Sequence, residues 1–338
     1  MRQSARILAG LFRPVDADTL AIFRIAFGFL MATQAFGKYM WRAQEYYSPD
    51  AFHFRYPHFE WVHPLPGLPP EIEVALTGVA ALGIMFGFYF RASAVIFTVA
   101  YTHLFLIERS LFNNHYYLII LLGILLIATD SHAAFSYDAS RSRVRNPGWC
   151  PFWHVALFRA QLVIVYFFGG IAKLGADWLQ GEPMRQWLLE RSASHVGGAF
   201  LAHPWAAWFF SYSGLVFDLS IGFLLLYRPT RYWALIPLLT FHLMNAYLWK
   251  IGVFPWLAIA STVVFFDPGM PRRWLRRIDT DIPLAAVPHA QVTSLRHRRA
   301  VLTMLLAYLV IQCLLPFRHH FYTHNVNWTE TGHMFSWH

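Results

Sequence analysis

Apolar segments long enough to cross a bilayer recur along the whole chain and constrain its fold more than any other feature. A helix that crosses the hydrocarbon core needs ~20 mostly apolar residues, or fewer where neighbouring helices bury its ends. About nine segments meet this requirement, with about eight or about ten as alternatives because two of them are short. They are Leu20 to Phe36, Ile72 to Phe90, Ala92 to Ile107, Tyr116 to Thr129, His154 to Leu174, Trp205 to Tyr227, Tyr232 to Leu248, Ile251 to Phe266 and Ala300 to Phe317. The pattern predicts an all-α fold, a polytopic integral membrane helix bundle.

The distribution of charge supports this class and orients it. The chain is 57% hydrophobic and 13% charged, about half the charged fraction of a soluble domain. Its net charge is +9, but the basic residues lie in short loops between apolar segments, as at Arg141, Arg143 and Arg145. This pattern indicates orientation by the membrane and argues against a nucleic-acid partner. For nine spans it predicts an N-terminus inside and a C-terminus outside.

Segments outside the predicted spans give no sign of a second domain. We therefore expect one domain over residues 1–338, in which residues 318–338 form an extracytoplasmic tail. Cys150 and Cys313 show no metal-binding spacing, and the irregularly spaced histidines of the tail favour a wet interface, so no metal site is predicted. Two long outer loops, Gly37 to Pro70 and Ala176 to Pro204, either cover an outward-facing pocket or only anchor the bundle at the headgroups.

A lysine stands at the outer end of the fifth predicted span. A charge near mid-bilayer costs ~3 kcal/mol on insertion scales, so an intramembrane ionisable group is a functional candidate. Burial disfavours the charged amine, and a neutral Lys173 would be a base; alternatively, its side chain snorkels to the headgroups. Tyr166, Gly169, Gly170 and Lys173 share one helix face, and the glycines allow a helix or a flat ligand to approach the backbone.

Other polar groups lie at a similar depth. His115 begins the fourth span, and His242 and Asn245 are three residues apart and share a face of the seventh. His115 could instead cap its helix, and His242 could simply form a hydrogen bond between helices. Together with Lys173 these residues predict a polar site near the outer face.

Three further charges lie within the spans. Arg24 and Arg159 are roughly 6 to 8 Å from the inner boundary, and Asp218 is about 13 Å from it, at ~1.5 Å per helical residue. We predict that Arg24, Arg159 and Asp218 neutralise one another as a structural cluster. A proton or ion relay is the alternative.

Ordered runs of residues along nearly the whole chain are similar to one known family. These runs are Phe23 to Met31, Asn113-Asn114-His115, Phe158-Arg159 through Gly170 to Trp178, Phe217 to Phe223, Phe241 to Asn245, Asn327-Trp328-Thr329 and Phe335-Ser336-Trp337. The chain resembles the transmembrane domain of vitamin K-dependent gamma-glutamyl carboxylases, in the horizontally transferred transmembrane (HTTM) superfamily.

The resemblance implies a reaction and roles for individual residues. In that family a lysine matching Lys173 deprotonates reduced vitamin K hydroquinone, which reacts with oxygen to give a strongly basic alkoxide on the way to the epoxide. This base removes a gamma proton from a peptide glutamate, and the carbanion captures carbon dioxide, which makes the enzyme a carbon–carbon lyase. A histidine matching His115 orients the quinone oxygen. Catalysis is thus expected from Lys173 and His115, and quinone binding from Asn114, Tyr166, Gly170, His242 and Asn245.

The chain also departs from the family pattern. The glutamyl-peptide enzymes carry a large extracytoplasmic region after the last span, whereas this sequence ends at His338. The outer loop Gly37 to Pro70 lacks the cysteine that eukaryotic members use to tether it. Where the carboxylases commonly have two consecutive lysines, this chain has Ala172-Lys173. We therefore expect hydroquinone oxidation or epoxidation by this chain, with peptide carboxylation slow unless an extracytoplasmic partner is added.

These arguments lead to one favoured function and two rivals. The favoured function is a membrane-embedded carboxylase-like enzyme that uses reduced vitamin K or a related hydroquinone, oxygen and carbon dioxide on a glutamyl peptide. The rivals are a quinone-dependent oxidoreductase without carboxylation and a non-catalytic subunit that binds quinone or lipid. The expected location is a bacterial inner membrane, in contact with the lipid bilayer and with the active site facing outward.

Overall fold

The structure is a computed structural model that describes residues 9–280, 294–322 and 332–337. Helices account for 69% and strands for 2% of the described residues, so the predicted all-α class is confirmed. The chain divides into two compact units: unit 1 is Met1–Phe158 with Ala260–Ser294, and unit 2 is Arg159–Ile259 with Leu295–His338. One domain over residues 1–338 stays a prediction, and the similar run Asn327-Trp328-Thr329 lies outside the described residues.

Apart from two short strands, the regular secondary structure of the described residues is helical. In chain order the elements are β1 (Pro14–Asp16), α1 (Asp18–Gln34), a π-helix (Ala35–Tyr39), α2 (Ala43–Tyr47), α3 (Pro70–Phe86), α4 (Phe90–Ile107), a 3-10 helix (Arg109–Leu111), α5 (Asn114–Ala128), α6 (Tyr137–Ser140), β2 (Trp149–Pro151), α7 (Phe152–Ala172), α8 (Ala176–Leu179), α9 (Met184–Ser192), α10 (Gly198–Leu201), α11 (Pro204–Leu226), α12 (Leu235–Trp249), α13 (Phe254–Ser261), a 3-10 helix (Thr262–Phe265), α14 (Met270–Ile278), α15 (Leu295–Leu314) and a 3-10 helix (Leu315–Phe321).

Unit 1 is a layer of long helices in which α1 packs along α3, α3 along α4 and α4 along α5. Its backbones approach closely at Gly28, where a Cβ atom would lie 2.5 Å from the amide nitrogen of Met85. Buried rings fill the space between helices, as where Phe27 meets Phe97 edge to face at 5.5 Å. The antiparallel strands β1 and β2 were not predicted, because three residues each give too short a pattern.

Unit 2 is built around the contact of α7 with α11. The helices touch where small residues face them: a Cβ atom at Gly222 would lie 3.2 Å from Val163. The second outer loop folds into α8, α9 and α10, which pack on the end of α11 and on α12 through Met184, Leu188, Leu201, Ala206 and Leu248. The loop is therefore a packed part of unit 2.

Each of the predicted spans coincides with a helix. By length and composition, five helical stretches of the described chain are able to cross a membrane: Asp18–Tyr39, Phe90–Ile107, Phe152–Ala172, Pro204–Leu226 and Leu295–Phe321. The π-helix lengthens the first of these beyond α1. Shorter apolar helices occupy Asn114–Ala128, Leu235–Trp249 and Phe254–Phe265, and α3 has 17 residues. The chain is thus an integral membrane protein, and the count of nine spans stays a prediction.

Candidate functional site

The side chain of Lys173 turns back along its own helix. α7 ends at Ala172, and Lys173 Nζ donates to the carbonyl oxygen of Gly169 at 3.1 Å and to Asp218 Oδ2 at 2.6 Å. The lysine side chain is only 22% exposed. A snorkelling lysine would extend away from the apolar segment, so that alternative is wrong.

Two glycines allow Asp218 to reach this amine. At Gly170 an added Cβ atom would lie 2.9 Å from the backbone nitrogen of Leu219, so α11 approaches the backbone of α7 directly. At Gly169 the same atom would lie 3.7 Å from Asp218 Oδ2, which leaves room for the carboxylate. The glycines were predicted to allow either a helix or a flat ligand to approach the backbone. At Gly170 the structure shows that a helix, α11, makes this approach. Leu219 of that helix occupies the space beside Gly170 in which a quinone was predicted to bind.

The Lys173–Asp218 ion pair is largely withdrawn from solvent. The Asp218 side chain is 10% exposed, and its N···O distance of 2.6 Å to Lys173 is that of a short charge-assisted hydrogen bond. Removing two charges from water is costly, and the remaining charge is strongly destabilised if one partner is lost. The two side chains therefore depend on each other.

An indole ring covers one side of the amine. Lys173 Nζ lies 5.2 Å from the centroid of the Trp178 ring, within the range of a cation–π contact. The ring is held in place because Trp178 Nε1 donates to the carbonyl oxygen of Ser211 on α11 at 2.9 Å. α8 thus contributes to the site through Trp178.

A second polar pair lies between α7 and α12. Tyr166 Oη and His242 Nε2 are joined by a 2.8 Å hydrogen bond, and His242 is completely buried. The other ring nitrogen, Nδ1, has no hydrogen-bond partner within the described part of the chain. A buried imidazole nitrogen in this condition is able to bind a polar atom of a ligand.

Phenylalanine rings connect the two polar pairs. Phe217 precedes Asp218 on α11, stacks on Phe241 at 4.0 Å and meets the Tyr166 ring edge to face at 5.8 Å. Phe254 adds a further ring 5.8 Å from that of His242. The site therefore combines an amine, a carboxylate, a phenol and an imidazole within aromatic walls, all in unit 2.

Not every residue predicted for the site lies in this group. Asn245 lies on α12 one turn beyond His242 and is half-buried. Asn114 and His115 belong to unit 1, so their predicted roles toward Lys173 remain predictions. His115 does not cap α5: the side chain of Asn113 accepts the backbone N–H of His115 at 3.5 Å, and the buried His115 ring meets Tyr116 edge to face at 4.4 Å.

The predicted structural cluster of Arg24, Arg159 and Asp218 is wrong in its pairing. Asp218 forms its ion pair with Lys173, and Arg24 donates to backbone carbonyl oxygens of unit 1. Arg159 lies about 20 Å before Lys173 along α7, at ~1.5 Å per residue. The estimated depth of each residue gave the wrong partner for Asp218, because the Lys173 side chain reaches back along α7 by one turn, to Gly169.

Two features of the site were missed in the sequence, namely the pairing of Asp218 with Lys173 and the cover by Trp178. A signal for the first was present, because Asp218 is the acidic residue of the otherwise uncharged helix Pro204–Leu226. Intramembrane charges of opposite sign pair with one another. For the second there was none, because the orientation of Trp178 depends on how α8 packs against α11.

Comparison with known families covers most of the chain. The family described as HTTM domain matches residues 12–269. The family described as vitamin K-dependent gamma-carboxylase, lumenal domain, matches residues 297–338, a range that begins within α15. No solved structure matches the chain. The first match contains every residue of the site described above.

Proposed function

The chain belongs to the HTTM domain family, of the vitamin K-dependent carboxylase type, and from this premise we propose that it is a membrane-embedded enzyme that couples oxidation of a reduced quinone to carboxylation of glutamate. The observation that carries the proposal is the Lys173–Asp218 pair, with Nζ 2.6 Å from Oδ2 among aromatic rings. In this proposal Lys173 is the base. The activity would be that of a lyase that forms a carbon–carbon bond.

Two observations support a quinone site beside this pair. His242 Nδ1 is a buried polar atom without a partner in the described chain, which suits a ring oxygen. The stacked rings of Phe217 and Phe241 suit a flat apolar ligand. Reduced vitamin K or a related hydroquinone, when bound with oxygen, would supply the strong base for carboxylation. Tyr166 would orient His242, and the aromatic walls would exclude water.

Asp218 gives Lys173 a way to act as a neutral base. Movement of one proton from Lys173 Nζ to Asp218 Oδ2 breaks an N–H bond, forms an O–H bond and leaves two neutral groups. An apolar surrounding favours such neutral forms. Nζ then holds a lone pair that is able to accept a proton from a substrate hydroxyl, while Asp218 holds the first proton.

We further propose nine spans with the N-terminus inside, which puts Lys173 near the outer face. A reporter fused after Arg277 should then be on the inner side, and a reporter fused after Glu190 should be outside. The opposite labelling would contradict both the topology and the outward orientation.

The function is tested on the full chain, purified in lipid nanodiscs, with reduced vitamin K, oxygen, labelled carbon dioxide and a glutamyl peptide. We expect hydroquinone-dependent oxygen uptake and epoxide formation by the chain alone, with label entering glutamate slowly until a separate extracytoplasmic partner is added. Epoxide without label, even when a separate extracytoplasmic partner is supplied, would favour an oxidoreductase. Quinone binding without oxygen uptake would favour a non-catalytic subunit.

Variants at Lys173 test its role. Lys173→Ala should abolish oxygen uptake, and Lys173→Arg should fail as well because a guanidinium stays protonated. Lys250→Asn is a matched control: it removes a lysine at a left-handed backbone position (φ 51°) that asparagine tolerates, and activity should remain. Full activity of Lys173→Ala would falsify the proposed mechanism.

A further inference from the structure

An open apolar groove runs between α3 and α4 on the exposed side of unit 1. Its volume is about 720 Å³. Small residues form its floor, among them Ala80, Gly83 and Ala92, and exposed large residues such as Val79, Phe86 and Ile96 form its walls. α3 and α4 pack closely at Gly83, where a Cβ atom would lie 2.3 Å from Ser93 Oγ. Its lining is that of a site for a hydrocarbon chain.

One end of the groove is basic. Tyr89 and Tyr137 line this end. The guanidinium of Arg143 lies 4.5 Å from the centroid of the Tyr89 ring, and that of Arg141 lies 5.4 Å from the centroid of the Tyr137 ring. Both arginines are exposed. The aromatic rings thus place two cations at the mouth of an apolar channel.

The acidic residue near this end of the groove, Asp138, caps a helix. Asp138 accepts the backbone N–H groups of Tyr89 and Phe90 at 3.2 and 2.8 Å, and therefore caps the start of α4. It lies 3.8 Å from Arg143, so it offsets one of the two charges. The charge of Arg141 therefore makes the mouth of the groove positive overall.

We propose that this groove binds an anionic phospholipid, with an acyl chain along α3 and α4 and the phosphate at Arg141 and Arg143. Charge complementarity selects this occupant, because guanidinium groups bind phosphate oxygens in pairs and basic pockets between membrane helices bind anionic headgroups. A free anion would not use the apolar channel, and an uncharged lipid would not use the second cation. The site is independent of the chemistry at Lys173.

The proposal is tested by native mass spectrometry of the full chain in detergent, with phosphatidylglycerol and phosphatidylcholine of identical acyl chains. Phosphatidylglycerol should bind more tightly, and Arg141→Gln/Arg143→Gln should weaken its binding on the order of tenfold. The control Arg228→Gln/Arg277→Gln removes the same charge from exposed arginines elsewhere and should leave the affinity unchanged. Equal affinity for the two lipids, or an equal loss in the control, would overturn the proposal.

A second variant tests the apolar part of the site. Ala92→Trp places a large side chain on the exposed floor of the groove, so phosphatidylglycerol binding should fall while the melting temperature stays close to that of the wild-type chain. Unchanged binding by a folded Ala92→Trp chain would overturn the role of the groove. Displacement of the lipid by millimolar inorganic phosphate would likewise reduce the site to an anion site and overturn the proposal.

Discussion

Two buried cations, Arg24 in unit 1 and Lys173 in unit 2, are stabilised in different ways. Arg24 is completely buried. Its guanidinium donates to the carbonyl oxygens of Ile84, Met85 and Phe135 at 2.6 Å each and of Ser131 at 3.2 Å. Two of these oxygens belong to the last turn of α3, where helical carbonyls have no partner further along the helix, and Ile84 accepts from the backbone N–H of Gly87 as well. Arg24 therefore fixes the end of a helix.

Lys173 differs in its partner and in its exposure. A carboxylate faces its amine, and a carboxylate is able to accept a proton, whereas backbone carbonyl oxygens are not basic enough to do so. An arginine also remains protonated in proteins, while a buried lysine does not have to. Burial of a charge therefore does not by itself indicate function: the chemistry of the partner does.

The largest effect on stability is expected at Arg24. Arg24→Met removes a donor from four carbonyl oxygens. That of Ile84 keeps the backbone N–H of Gly87, and the other three cost ~1–3 kcal/mol each before relaxation, so we expect a loss on the order of 4 kcal/mol. Arg24→Lys keeps the charge and some of the donors and should lose less. Thermal unfolding in detergent measures both. A methionine variant as stable as wild type would contradict the structural role of Arg24.

The next effect is expected at the ion pair. Lys173→Met strands the Asp218 carboxylate and should cost about 3 kcal/mol. Because the partner here is a side chain, the double variant Lys173→Met/Asp218→Leu should recover stability to within about 1 kcal/mol of wild type. Oxygen uptake should stay lost in the double variant. If the double variant is as unstable as the single one, the charges are not a coupled pair.

A smaller effect is expected at the glycines that bring α7 and α11 together. Gly170→Ala places a Cβ atom 2.7 Å from Leu219 Cδ2, and such overpacking costs ~1–3 kcal/mol. Gly169→Ala is the matched control: within the described chain the nearest neighbour of its Cβ atom would be Asp218 Oδ2 at 3.7 Å, and alanine is favoured over glycine within a helix by up to ~1 kcal/mol. Equal melting temperatures for the two variants would show that helix approach at Gly170 is not needed.

The sequence and the structure agree where one-dimensional patterns are sufficient. Apolar length located the helices, and the rarity of intramembrane charge singled out Lys173. Tyr166, Gly169, Gly170 and Lys173 lie on one face as the helical period requires. The partner of Asp218 could not be obtained in this way, because counting residues gives the depth of a backbone atom and ignores where a long side chain ends. The role of Gly170 was left open for the same reason: only the packed helices show that Leu219 occupies the space.

The smallest effect is expected at the Tyr166–His242 hydrogen bond, and it asks whether the second polar pair belongs to the functional site. Tyr166→Phe removes the partner of His242 Nε2, which lies 2.8 Å away, and should cost about 1 kcal/mol of stability. The phenol also holds the ring of His242 in its orientation, so its loss should raise the KM for hydroquinone several-fold while kcat, which depends on Lys173, changes little. Tyr212→Phe is the control, because its exposed hydroxyl donates to the carbonyl oxygen of Leu179 at 3.1 Å in the same unit and should affect neither quantity. Steady-state kinetics with varied hydroquinone separate the two constants. A lower kcat with unchanged KM would instead place Tyr166 in the proton path of Lys173, and the division between a binding pair and a reacting pair would have to be given up.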